Sequence, residues 1–201
     1  MEKVKIPKTL KKLIKTKRIN LKPLPKASFE FAQFLYDKIS QQRQHFKFLP
    51  MALVTKPEEE YDFLSGNFKS FANKLKVSYG LYHNKTGEFM GIVGVHALRW
   101  EKGYGELGAW VFKEYSGQGY IPEAVKALED YLFGMGFHKL VWKACTKNTA
   151  SCKAAKKAGY IKEGVERQAN FNKLMNFWED HAFFGKLYSE WKNPKKNTKS
   201  K

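Results

Sequence analysis

Residues 114–120 read Glu-Tyr-Ser-Gly-Gln-Gly-Tyr and follow the apolar run Leu107-Gly108-Ala109-Trp110-Val111-Phe112. A strand that ends in Gly117-Gln118-Gly119, with Pro122 and a helical pattern close behind, suits one kind of chemistry. Pro122 fits a first helical turn because its missing N–H would be unpaired there anyway. Ile121, Ala124, Val125, Leu128 and Leu132 form a stripe that packs this helix, predicted over 121–133, onto a sheet. Its N-terminal N–H groups then point outward, and the two glycines let an anion approach the backbone with no Cβ in the way. The pattern points to a phosphate. A dinucleotide fingerprint would need Gly or Ala where Pro122 stands, and a P-loop would need a Gly-Lys-Ser/Thr ending, so neither motif applies. Read alone, Gly-x-Gly is equally a tight turn that binds nothing.

Other reactive side chains are sparse. Cys145 and Cys152 are the only thiols, and their separation matches no metal or redox motif. They read as small buried or half-buried residues in a reducing cytoplasm, and no metal site is expected. His181 lies on an alternating strand pattern and reads either as a base or as a structural residue. The tryptophans and phenylalanines between 110 and 184 read as core or cleft walls.

The elements that must hold the glycine loop are legible as periodicities. Residues 18–24 alternate as a first strand, and residues after Ser28, a candidate N-cap, recur at helical spacing to Ile39. A second helix is predicted over 57–76 with Tyr61, Leu64, Phe68, Phe71 and Leu75 on its inward side. Strands follow at 77–81 and 89–97 around the turn signal His83-Asn84-Lys85-Thr86-Gly87, then at 106–112. After the loop and its helix come a strand at 140–144, a helix at 148–158 ended by Gly159, and two aromatic-rich strands. The mixture predicts a single α/β or α+β layered domain.

The 201 residues carry a formal charge of +18, and the excess lies at the ends. Residues 1–26 hold ten Lys or Arg against Glu2, residues 192–201 hold five Lys and no acid, and the middle holds 22 basic against 18 acidic residues. This divides the chain into a basic N-terminal segment 1–17, a domain 18–191 and a basic disordered tail 192–201. Such ends are either attracted to ribosome or RNA phosphates or simply solubilising. No stretch reaches the ~18 apolar residues of a membrane span and no secretory signal is present, so a cytoplasmic protein without membrane contact is expected.

The stretches "GELGAWVFKEYSGQGYIPEAVKALEDYLF" and "NTASCKAAKKAGYIKEGVER" together resemble the acetyl-coenzyme A binding half of the GNAT N-acetyltransferases, in particular the RimJ/RimL-like group. The resemblance is strongest over residues 104–167. It implies a central, mostly antiparallel mixed sheet, twisted, with flanking helices and a splayed acetyl-CoA cleft. It further implies acetyl-CoA as cosubstrate, held by Trp110, Val111, Phe112, Gly117, Gln118, Gly119, Tyr120, Asn148 and Ser151. Ser151 matches the serine placed near the coenzyme A sulfur, where it would donate a proton, and is otherwise an ordinary serine in a helix start capped by Asn148. Glu106 matches a glutamate that would take a proton from the amine through water, and is otherwise a strand-end charge. A backbone N–H of the central strand would stabilise the oxyanion.

Three departures stand out. The family loop carries a long polar side chain where Ser116 stands, and Gly or Ala where Ile121 stands. A second family carboxylate falls on or near Asn170, which cannot act as a base. The resemblance implies transfer of acetyl to a primary amine, in first place a protein N-terminus; a small amine is the runner-up, and a ribosome- or RNA-associated binding module with little catalysis is the third reading. The expected assembly is a monomer or a homodimer.

Overall fold

The computed structural model describes residues 4–194. Strands β1 (Ile14–Lys15), β2 (Ile19–Pro23), β3 (Val77–His83), β4 (Phe89–Arg99), β5 (Tyr104–Val111), β6 (Lys139–Cys145), β7 (Ile161–Asn172) and β8 (Phe177–Leu187) form one sheet in the order β1-β2-β3-β4-β5-β6-β8-β7. Every neighbouring pair is antiparallel except β5–β6. That parallel pair requires a crossover, and helix α3 (Tyr120–Gly134) supplies it.

Strand alternation sends side chains to two cores. On one face Val93, Val95, Leu107 and Val111 meet Ala124, Val125, Leu128 and Leu132 of α3. On the other, Ile92 and Trp110 meet α1 (Phe29–Gln41) and the segment that follows it through Leu35, Phe46 and Ala52. Helix α1 begins as its sequence predicts, with Ser28 Oγ accepting the Phe31 N–H at 3.2 Å. Helix α4 (Thr149–Lys157) begins with Asn148 Oδ1 accepting the Ser151 N–H at 3.2 Å.

Helix α2 (Pro57–Ala72) differs from expectation in length and in rotation. It ends at Ala72, and Lys74 turns the chain at φ 57°. Its buried side is Glu60, Leu64 and Asn67, whereas Tyr61, Phe68 and the following Leu75 are exposed. Positions 60, 64, 67 and 71 fit the helical repeat as well as 61, 64, 68 and 71, so the apolar pattern alone does not select between the two rotations. The selected one turns a glutamate inward.

Two short elements escape the sequence patterns. Strand β1 pairs Ile14 with Leu21, and α5 (Tyr188–Lys192) stacks Trp191 on Phe133 at 5.5 Å. Residues 4–17, set apart in the sequence by their charge, lie against the domain. Leu10 is buried in the α3 core, Lys11 O accepts from Tyr79 Oη at 2.8 Å, and the Lys5 N–H donates to Met135 O at 2.9 Å. Of the expected tail 192–201, Lys192 closes α5 and residues 195–201 lie outside the described residues. Among the described residues no helix is long and apolar enough to cross a membrane.

If the basic segment is part of the fold, Leu10→Ala opens a cavity and lowers unfolding free energy by about 2–5 kcal/mol. Urea denaturation measures it; a midpoint equal to that of the unaltered protein would mean that residues 4–17 only rest on the surface.

Candidate active site

The site is built around a gap in the sheet. Strands β5 and β6 pair from Tyr104↔Lys139 to Leu107↔Trp142 and then separate, while β5 stays on β4 as far as Val111 and β6 stays on β8 as far as Cys145. The Phe112 N–H donates to Met90 O at 2.9 Å, so Phe112 and, by ladder alternation, Trp110 turn their backbone groups toward β4. Ala109 and Val111 therefore turn theirs into the gap. The Val111 carbonyl accepts from His45 Nε2 at 2.9 Å, which leaves the Val111 N–H and both groups of Ala109 as the open edge. Of the strand residues that the family resemblance assigns to acetyl-CoA, Val111 turns its backbone into the gap, whereas Trp110 and Phe112 turn theirs toward β4 and the Trp110 ring packs edge-on to Phe46 and Phe112.

The glycine loop sits at the end of this edge. Gly117 and Gly119 have φ of 74° and 81°, in the left-handed region. A Cβ on Gly117 would meet nothing within 4 Å, so its loop face is open. Gly119 is the N-cap of α3 with no side-chain cap, leaving the first-turn N–H groups of Tyr120 and Ile121 for an anion. The Gln118 side-chain amide donates to Glu114 O at 2.6 Å, and the Gln118 backbone carbonyl accepts from Arg18 Nη1 at 2.9 Å. Arg18 also pairs with Glu123 at 2.7 Å and lies 4.4 Å from the centre of the Tyr120 ring. Arg18 thus brings to the loop a cation that Ser116 does not provide. Its position follows from β2 docking beside α3, which no local pattern signals.

Ser151 lies at the fork itself. Its Oγ accepts the indole N–H of Trp142, the last residue of β6 paired with β5, at 3.0 Å. A hydroxyl that uses a lone pair in this way keeps its proton free to donate. Asn148, by capping α4, fixes where Ser151 stands.

Glu106 faces His96 across the β4–β5 register, with His96 Nε2 3.2 Å from its carboxylate. That hydrogen bond, reinforced by the charges of Lys143 and His181, outweighs burial and holds the Glu106 carboxyl below the usual range. Glu106 is consequently ionised and weakly basic, and it orients His96. His181 makes a second such pair, 2.7 Å from the buried Glu179, which also accepts from Asn172. Glu179 lies opposite Asn170, so a carboxylate is present on β8 next to the β7 position where the family carboxylate is missing. His96 and Glu179 were invisible as partners in the sequence because each pairing depends on strand register.

On the α1–α2 side of the sheet, a cleft of ≈ 410 Å³ opens over β3, β4 and β5. Its floor contains Gly94 and Gly108, which oppose each other; a Cβ on Gly108 would stand 3.0 Å from the His96 ring. Its walls include Met51, Phe63, Ile92 and Trp110. Glu60 enters this cleft with only 3% of its surface exposed, and its Oε1 has no hydrogen-bond partner among the described residues. Burial, and secondarily the charge of Glu59, pushes its carboxyl up to about 7. The thiols of Cys145 and Cys152 are both free and both pushed up by burial. Among the described residues no cluster of three or more metal-ligating side chains occurs.

The profile of the acetyltransferase (GNAT) domain matches residues 18–161, and the chain belongs to the GNAT acetyltransferase family. It is similar to the uncharacterized N-acetyltransferase YoaA of Bacillus subtilis (strain 168), 29% identical over 99 residues, 49% of this chain and 56% of the relative. It is also similar to the ribosomal-protein-serine acetyltransferase of Escherichia coli (strain K12), 30% identical over 104 residues, 51% of this chain and 57% of the relative. The matched region thus spans little more than half the length of these relatives. The fold is that of RimL, a ribosomal L7/L12 alpha-N-protein acetyltransferase solved in complex with coenzyme A, with a TM-score of 0.76 at 18% identity over 87% of this chain and 97% of that one. The microcin C7 self-immunity acetyltransferase MccE, solved with acetyl-CoA and AMP, gives 0.75 at 19% identity over 92% of this chain and 98% of that one. At these identities the likeness is one of fold.

Glu60 has a measurable consequence for stability. The folded protein keeps its proton up to about 7, against an ordinary value of 4.5, so stability falls as pH rises through that window. Glu60→Gln removes the charge, and the variant is expected to be more stable by about 1–3 kcal/mol at pH 8 while matching the unaltered protein near pH 4. Thermal unfolding across this pH range checks it; an equal or lower stability at pH 8 contradicts the burial argument.

Proposed function

We propose that the protein transfers the acetyl group of acetyl-coenzyme A to a primary amine, in first place the N-terminal amine of a protein, by direct attack in a ternary complex. The observation that carries this reading is the fork: an open backbone edge at Ala109 and Val111 that runs into a glycine loop with uncapped helix N–H groups. The diphosphate would lie on Gly117, Gln118, Gly119 and Tyr120 with Arg18 alongside, and the pantetheine arm would pair with the β5 edge as an added strand does. Family membership and the ribosomal-protein acetyltransferases among its relatives support a protein acceptor.

The chemistry then needs few side chains. The amine nitrogen attacks the thioester carbonyl, the carbonyl oxygen gains charge, and an N–H on the β5 edge stabilises it. When the carbon–sulfur bond breaks, the sulfur takes a proton from Ser151 Oγ, whose lone pair the Trp142 indole already occupies. His96, oriented by Glu106, lines the acceptor cleft and passes the proton released by the amine nitrogen, through water, back to Ser151.

Ser151→Ala is expected to lower kcat by roughly 10-fold or more with little change in the acetyl-coenzyme A KM. Gly119→Val is expected to weaken acetyl-coenzyme A binding by about 10-fold or more, on the scale of one or two lost charge-assisted hydrogen bonds. Coenzyme A release with a peptide bearing a free N-terminus, the same peptide blocked, and small amines tests both variants and the acceptor class together. Turnover with small amines alone moves the acceptor from protein to metabolite. Calorimetric binding of acetyl-coenzyme A with no transfer to any amine contradicts the reading.

A further inference from the structure

Helix α2 leaves Tyr61 and Phe68 in solvent and turns Glu60 into the cleft. Burying a carboxylate in preference to an aromatic ring works against stability, and such departures from a favourable pattern concentrate where a ligand is handled. The remaining polar chemistry of the cleft does not relieve it. Glu59, on the same helix, is bound by Thr55 Oγ1 at 2.8 Å and adds like charge. Lys76 from the approach to β3 and His96 from β4 are the other charged or titratable groups on the lining, and neither is hydrogen-bonded to Glu60. Glu60 therefore stands among apolar walls with an oxygen that has no hydrogen-bond partner among the described residues, and the cleft floor beneath those walls is the Gly108–Trp110 stretch of β5, which leads into the fork.

Building on the acetyltransferase reading, we propose that Glu60 receives the ammonium of the acceptor and takes one of its protons, and that the acceptor is an α-amine whose first side chain is apolar. An ammonium offers three donors and a full positive charge to an oxygen that lacks both. In the transfer, one N–H bond breaks and an O–H bond forms on Glu60, leaving a neutral amine with its lone pair free. Attack on the thioester then forms the N–C bond and breaks the C–S bond. The second proton lost by nitrogen replaces the one that Ser151 gives to the sulfur, so coenzyme A leaves as the thiol, and Glu60 returns its proton to solvent after the product leaves. An α-amine, with an ordinary pKa of about 8, gives up a proton to such a group far more readily than a lysine side chain at about 10.4. Met51, Phe63, Ile92 and Trp110 surround the position where the first side chain would lie.

The test is the pH profile of kcat/KM for the unaltered protein, Glu60→Gln and Glu60→Asp, with peptides beginning in Met, Ser or Glu. The unaltered protein is expected to show an acidic limb centred near 7, the value to which burial brings Glu60. Glu60→Gln is expected to lose about 100-fold or more in kcat/KM, and its remaining rate should follow the free-amine fraction toward about pH 8. Glu60→Asp should keep the limb at a lower rate, and the Met peptide should be the best of the three. A Glu60→Gln protein that folds, binds acetyl-coenzyme A and keeps the unaltered rate and limb overturns the proposal while leaving the acetyltransferase reading intact. An unaltered protein that transfers to none of the peptides overturns both.

Discussion

The loss of one hydrogen-bond ladder is the constraint on which the rest of this structure depends. Strands β5 and β6 are held together only up to Leu107 and Trp142, and beyond that point each is held by its outer antiparallel neighbour instead. An open edge inside a sheet is tolerated because its neighbours are clamped. The His45 imidazole satisfies the Val111 carbonyl, and the Trp142 indole satisfies Ser151 exactly at the point of divergence. Because β5 and β6 are parallel, the chain between them must cross the sheet as a helix, and that helix necessarily starts at the end of β5. The anion-binding helix terminus and the open backbone edge are thus placed side by side by topology.

The two faces of the sheet divide the labour. Toward α3 the strands present Val93, Val95, Leu107 and Val111, a packed core that fixes the crossover helix. Toward α1 and α2 they present Gly94 and Gly108, and the missing side chains leave the room that becomes the cleft. The walls of that room are aromatic and aliphatic, so its few charged groups act in a medium poorer in water than the surface. Glu60 is the clearest case: its burial costs stability and raises its affinity for a proton in one step.

Much of this was legible in the sequence where the cause is local. Gly117 and Gly119 signalled backbone of positive φ, Asn148 signalled a helix cap, and the 121–132 stripe signalled a helix on a sheet, all from neighbours a few residues away. Arg18, His96 and Glu179 gave no such signal. Each acquires its partner from strand register or from β2 docking beside α3, across separations that periodicity cannot see. The rotation of α2 was ambiguous for a different reason, since Leu64 and Phe71 belong to either face and the tertiary environment chose the one that contains Glu60. Strand β1 and helix α5 are too short to hold a pattern, and the charge of residues 4–17 masked the few apolar side chains, Leu10 among them, that tie this segment to the core.

Amide hydrogen exchange with and without acetyl-coenzyme A addresses the fork directly. The account predicts new protection at Ala109 and Val111 on the β5 edge and at Gly117 to Ile121, while β1 to β3 stay unchanged. Binding accompanied by protection elsewhere, with these amides exchanging as before, would contradict it.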